Sequence, residues 1–131
     1  MLDTVNSDTA ALIAVHDGGP VGMLFAATFP QRVSALVLSG TTARYVPAEG
    51  YPWGIPLEDY DTRIVMELFA PSVCDNKSFL RWFMRWARYQ MPPSIAMALM
   101  HMLYTIDVRS VLPSISAPTL KIGKMTVAGD G

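Results

Sequence analysis

Three short apolar runs stand out along the chain, each bounded by glycine, proline or a polar cluster. The first, Ala10-Ala11-Leu12-Ile13-Ala14-Val15, is apolar at every position, so its pattern predicts a strand of a parallel sheet covered on both faces. The stretch from Val21 to Phe29 is apolar over more than two turns and predicts a buried helix, with Pro20 suited to its first turn and Pro30 ending it. Val33 to Gly40 predicts a second strand. Strand, turn, helix and strand together make a βαβ unit. Pro118 to Gly123 predicts a third strand.

Between the second and third strands the pattern changes character. Residues 41–56 carry Pro47, Gly50, Pro52, Gly54 and Pro56 and read as a loop. A helix is expected over 57–69. A further helix follows, capped by Asp75 or Asn76, with Phe79, Trp82, Phe83 and Trp86 at three-and-four spacing and Arg81, Arg85 and Arg88 on its other side. Pro92-Pro93 ends it. Ser94 is then placed as the cap of a methionine-rich helix running through Tyr104, with Met91, Met97, Met100 and Met102 expected in ordinary core packing. Asp107 and Arg109 are expected to cap and pin a short helical turn.

These elements predict an α/β fold of about three parallel strands with a helical cap inserted between the second and the third. The core is expected over 1–40 and 114–131 and the cap over about 41–113. Composition agrees with one small domain or a piece of a larger one: 131 residues, 51% hydrophobic and 16% charged, which is too apolar for disorder. A net charge of −1 gives no bulk electrostatic case for nucleic acid or anionic lipid, so neither nucleic acid nor a membrane is expected as a partner. One cysteine, Cys74, rules out an internal disulfide framework and fits a reducing compartment. Without a signal-peptide pattern or a run near ~20 apolar residues, the expected location is the cytoplasm. The arginine-bearing helix face reads as a solvated outer face in preference to a membrane-surface helix. No cofactor or metal is expected.

The chemistry concentrates at Ala14-Val15-His16-Asp17-Gly18-Gly19-Pro20, between the first strand and the first helix. Its frame is that of the nucleophile elbow Gly-x-Ser-x-Gly. Ala14 stands at the first glycine position, His16 at the nucleophile position and Gly18 at the second glycine position. A second register makes Asp17 the nucleophile, at the expense of one residue missing before Gly18 and of Val15 where a small residue belongs. Asp130, in Ala128-Gly129-Asp130-Gly131, stands at the position of a triad acid. The histidines are His16 and His101, and His101 precedes the third strand, too early for a triad base.

Several segments then resemble one subfamily: Gly18-Gly19-Pro20, Leu24-Phe25-Ala26-Ala27-Thr28, Pro30-Gln31-Arg32-Val33, Tyr51-Pro52-Trp53-Gly54, and Asp107-Val108-Arg109 through Leu112-Pro113 to Pro118-Thr119-Leu120. Together they resemble the α/β-hydrolase-like domain joined to class III adenylate/guanylate cyclases in bacterial regulators. The resemblance covers about residues 3–123. It implies a partial α/β-hydrolase fold, truncated at both ends relative to that domain. It also implies a degenerate elbow, because His16 replaces the serine of the related Ser-Asp-Gly-Gly and Ser-Glu-Gly-Gly motifs. The function expected is that of a catalytically degenerate hydrolase-like protein. The alternatives are a residual hydrolase of esters or epoxides using Asp17, and a module binding a small apolar ligand or a protein. Self-association through unpaired strand edges is a further expectation.

Overall fold

The computed structural model describes residues 4, 6–56, 66–67 and 70–123. The expected helix over 57–69 falls mostly outside these residues, as does Asp130. The chain divides into two compact units. Among the described residues, one unit comprises 4–45 and 106–123, and the other comprises 46–105.

The first unit is a three-stranded, wholly parallel sheet. Strand β1 (Ala10–Val15) pairs with β2 (Val33–Ser39), and β2 pairs with β3 (Thr119–Ile122), giving the order β1-β2-β3. Helix α1 (Gly19–Thr28) makes the crossover between β1 and β2, with Pro20 in its first turn, where a missing N–H costs nothing. Buried Met23 and Ala26 on α1 meet Ala14, Val33, Leu36 and Leu38 of the sheet, joined by Ala43 and Ala117. The helix approaches this core closely. A Cβ on Gly22 would lie 2.7 Å from that of Ala14, so glycine there sets the spacing between helix and strand.

Burial on both faces of β1 is not observed. Leu12 and Ala14 sit on the inner side, while Ile13 is 74% exposed and Val15 is exposed as well. An apolar run cannot reveal which face will be covered, and in this unit α1 covers one. Likewise α1 buries one stripe and leaves Val21 and Leu24 exposed.

A short crossing ties the loop after β2 to the segment before β3. Arg44 and Asp107 form an isolated antiparallel bridge, and the Val108 N–H donates to the Ala43 carbonyl at 3.0 Å. Asp107 works at both ends of this crossing. Its carboxylate accepts from the Arg109 N–H, Nε and Nη2 and from Arg44 Nη1, the last two at 2.8 Å. The Arg109 side chain above all, with its backbone N–H and Arg44, holds this carboxyl well below the usual carboxylate range against the opposing effect of burial.

In the second unit, α2 (Lys77–Gln90) is capped by Asn76, whose Oδ1 accepts from the Ser78 and Phe79 N–H groups at 3.0 Å each. Helix α3 (Pro93–Thr105) starts one residue before the cap placed at Ser94. Pro93 takes the first helical position, where it fits without strain, and the Ile95 and Ala96 N–H groups donate to the Pro92 carbonyl. Core packing of the methionines is only partly met: Met91 and Met100 are half-buried, while Met97 is 73% exposed, Met102 is exposed, and Leu103 is the buried residue of this helix. No helix among the described residues is long and apolar enough to cross a membrane.

Candidate functional site

The turn joining β1 to α1 is a single 3-10 turn, His16–Gly18, which runs directly into α1. At its apex His16 has φ +47°, a left-handed conformation that costs a non-glycine residue roughly 1–2 kcal/mol. Three donors hold it there, all aimed at the His16 carbonyl. They are the Gly19 N–H, the Thr41 hydroxyl at 2.6 Å and the Tyr45 hydroxyl at 2.9 Å. Thr41 is the buried polar side chain of the described core, 3% exposed. Its hydroxyl is therefore satisfied where water cannot reach it.

Parallel pairing explains why these groups converge. Val15 lies opposite Ser39, so the chain leaves both strands at the same end of the sheet, and residues 40–45 arrive beside the turn. The His16 ring lies over Gly40, and Nδ1 is 3.1 Å from the Gly40 carbonyl. A carbonyl only accepts, so in this contact Nδ1 is the donor. A Cβ on Gly40 would come within 3.0 Å of His16 Cε1, and Gly40 itself has φ +55°. Both facts favour glycine there.

The two glycines of the motif turn out to be unequal. Gly18 has helical dihedrals, and a Cβ built on it meets no atom within 4 Å. At Gly19 the same Cβ would sit 1.7 Å from Thr41 Oγ1. The close approach that glycine permits is thus between Gly19 and Thr41.

Asp17 is exposed and lies within the turn, and the left-handed residue is His16. Asp130 lies outside the described residues. His101 is exposed on α3, in the second unit. Among the described residues no cluster of histidine, cysteine or carboxylate side chains could hold a metal ion. Thr41, Tyr45 and Gly40 were not singled out from sequence. The signal for them was the strand register itself, because parallel pairing of the two apolar runs brings Gly40-Thr41 beside His16.

On the same unit β1 and α1 form an open groove of about 630 Å³. Leu12, Ile13, Val21, Phe25 and Phe29 give it apolar walls, and Arg32 is the charged residue among those lining it.

Compared with models of known protein families and with curated proteins, the chain finds no match.

Proposed function

We propose that this protein is a catalytically degenerate α/β-hydrolase-like protein, related to the hydrolase-like domain of cyclase-linked bacterial regulators. The observation that carries the reading is the left-handed His16 at the apex of a strand-turn-helix, clamped through its carbonyl by Thr41 and Tyr45. A nucleophile elbow needs that backbone, because it lifts the central side chain away from the sheet. Preserving the strained frame while replacing serine with an imidazole leaves a scaffold without the hydroxyl of acyl transfer. The left-handed position also favours the register with His16 at the nucleophile slot over the one with Asp17.

Exposure of the protein to a fluorophosphonate probe tests this reading. The expected result is no serine labelled above the heat-denatured background. In parallel, His16→Ser should turn over p-nitrophenyl esters no faster than the parent, because a serine needs a base within hydrogen-bond reach. Specific labelling of any serine, or a clear gain of esterase activity in His16→Ser, would overturn the proposal.

The groove beside β1 favours a second reading, the binding of a small apolar ligand. A solvatochromic apolar dye should bind the parent and lose affinity in Val21→Glu, a change at a position 66% exposed and therefore tolerated by the fold. Equal dye binding by both proteins would remove the groove from consideration.

A further inference from the structure

Helix α2 concentrates positive charge as no other part of the chain does. Of ten lysines and arginines in the sequence, Lys77, Arg81, Arg85 and Arg88 lie within its fourteen residues, and no acidic residue accompanies them. At about 100° per residue these four cations share an arc of about 80°. The ion pairs among the described residues engage Arg44 and Arg109, and none engages the cations of α2. Arg81 donates to the Ser78 hydroxyl, a neutral partner.

Beside the cationic stripe lie Tyr89, Trp82 and Trp86, at about 120–180° on the same wheel. The sequence reads the arginine face as the solvated one, opposite the aromatic row, but α2 has no buried residue on either side. Tyr89 is 87% exposed, Trp82 52% and Trp86 46%. The two indoles stack along the helix at 6.4 Å between ring centroids, presenting a continuous ridge. Phe79, Leu80, Phe83 and Ala87 occupy the next arc and are half-buried. The helix therefore turns its purely apolar side toward the protein. Outward it turns the aromatics that carry a polar handle, directly beside arginines that no ion pair among the described residues engages.

We propose that α2 docks flat on the surface of an anionic lipid bilayer. Charge complementarity selects the occupant: four cations without a carboxylate seek phosphate-bearing headgroups, even though the whole chain has a net charge of −1. Ring chemistry selects a bilayer over other anionic partners. Trp and Tyr favour the boundary between headgroup and acyl chain, where the ring body is apolar and the N–H or O–H stays wet. The arginines reach phosphates from the flank while their stems cover apolar surface. At fourteen residues the helix is about 21 Å long, too short to span and suited to lie in the interface. This surface lies wholly within the second unit and does not depend on the reading of the His16 turn.

The test is cosedimentation of the full chain with vesicles of three parts phosphatidylcholine to one part phosphatidylglycerol, against vesicles of phosphatidylcholine alone. In a Trp53→Phe background, tryptophan emission reports Trp82 and Trp86 only. Expected are partition into the anionic vesicles at least roughly tenfold stronger than into the neutral ones, a blue shift of emission, and quenching by brominated lipid. Arg81→Gln/Arg85→Gln/Arg88→Gln should weaken anionic binding by roughly tenfold or more. Trp82→Ser/Trp86→Ser should weaken it separately, with the circular dichroism of both variants unchanged. Absence of binding at millimolar lipid overturns the proposal, as does equal binding to both vesicles or indifference to either set of substitutions. Tighter binding to a single-stranded oligonucleotide than to the anionic vesicles would assign the surface to nucleic acid. Self-association abolished by the tryptophan variant would assign it to a second copy.

Discussion

Replacing Gly19 with alanine should damage the fold, whereas the same change one residue earlier should not. At Gly19 the new Cβ meets Thr41 Oγ1 at 1.7 Å and Thr41 Cβ and Cγ2 at 2.5 Å each. Rotating the threonine side chain relieves the first contact but leaves its Cβ in place. Ordinary carbon contacts lie at about 3.5–4.0 Å, so the start of α1 and the loop after β2 must part by roughly 1 Å or more. Overpacking of this kind costs about 1–3 kcal/mol. Moving Thr41 also loosens its hydrogen bond to the His16 carbonyl, about 1 kcal/mol more. The stiffer unfolded chain returns about 0.4–1 kcal/mol. The net loss is about 1–3.5 kcal/mol, or roughly 4–14 °C in Tm for a chain of this size. Gly18→Ala, with φ −73° and no atom within 4 Å of the new Cβ, should stay within about 1 kcal/mol of the parent. Thermal and urea unfolding followed by circular dichroism measure both. The double variant Gly19→Ala/Thr41→Gly should recover part of the loss, whereas Gly19→Ala/Thr41→Ala should not, because alanine keeps the offending Cβ. Equal losses at the two glycines, or strictly additive effects of Gly19→Ala and Thr41→Gly, would refute the reasoning.

Other expectations concern the core, the crossing and the sheet edge. Leu36 is fully buried, so Leu36→Ala should cost about 2–5 kcal/mol in urea unfolding. The Asp107 carboxyl is held below its ordinary value of 3.8, so the unfolded chain takes up the proton first and the stabilisation is lost as the pH falls below that value. Asp107→Asn should therefore lower Tm at pH 7, and the difference from the parent should shrink as the pH approaches 3. At the free edge of β1, Ile13 is 74% exposed, and Ile13→Lys should reduce concentration-dependent association in sedimentation velocity without lowering Tm. A parent that stays monomeric at high concentration would count against an edge-mediated contact.

What was legible in the sequence was local. Ala10–Val15 reads as a strand because six apolar residues end at a turn signal, and the strand has those bounds. Asn76 reads as a cap because an asparagine precedes an amphipathic run, and its side chain accepts the two N–H groups a cap should satisfy. What stayed hidden depended on partners far along the chain. The motif spacing marks Gly18, but the residue that must lack a side chain is Gly19, because the crowding atom belongs to Thr41 across the sheet. The aromatic row of α2 is legible as a face, but spacing says nothing about whether another element covers it. Ser94 reads as a cap only if Pro93 is taken as a breaker, and the helix uses that proline as its first residue.

The parallel order β1-β2-β3 carries a consequence for how the sheet assembles. Strands β1 and β2 are joined through one short helix, while β2 and β3 are separated by a stretch roughly five times longer, an extra closure cost of about 1.4 kcal/mol. Pairing of β1 with β2 can therefore nucleate early, and β3 is the strand that arrives last. It is also the shortest of the three and exposed at all four positions. The amides bonding β2 to β3, including Gly40 N–H to the Ile122 carbonyl, should exchange with solvent through partial openings that leave the β1-β2 ladder intact. Gly40 also carries the carbonyl that orients the His16 ring. Each departure of β3 would then loosen the peptide against which the imidazole rests, so an edge strand that contributes no side chain to the turn sets how firmly the turn's apex is backed.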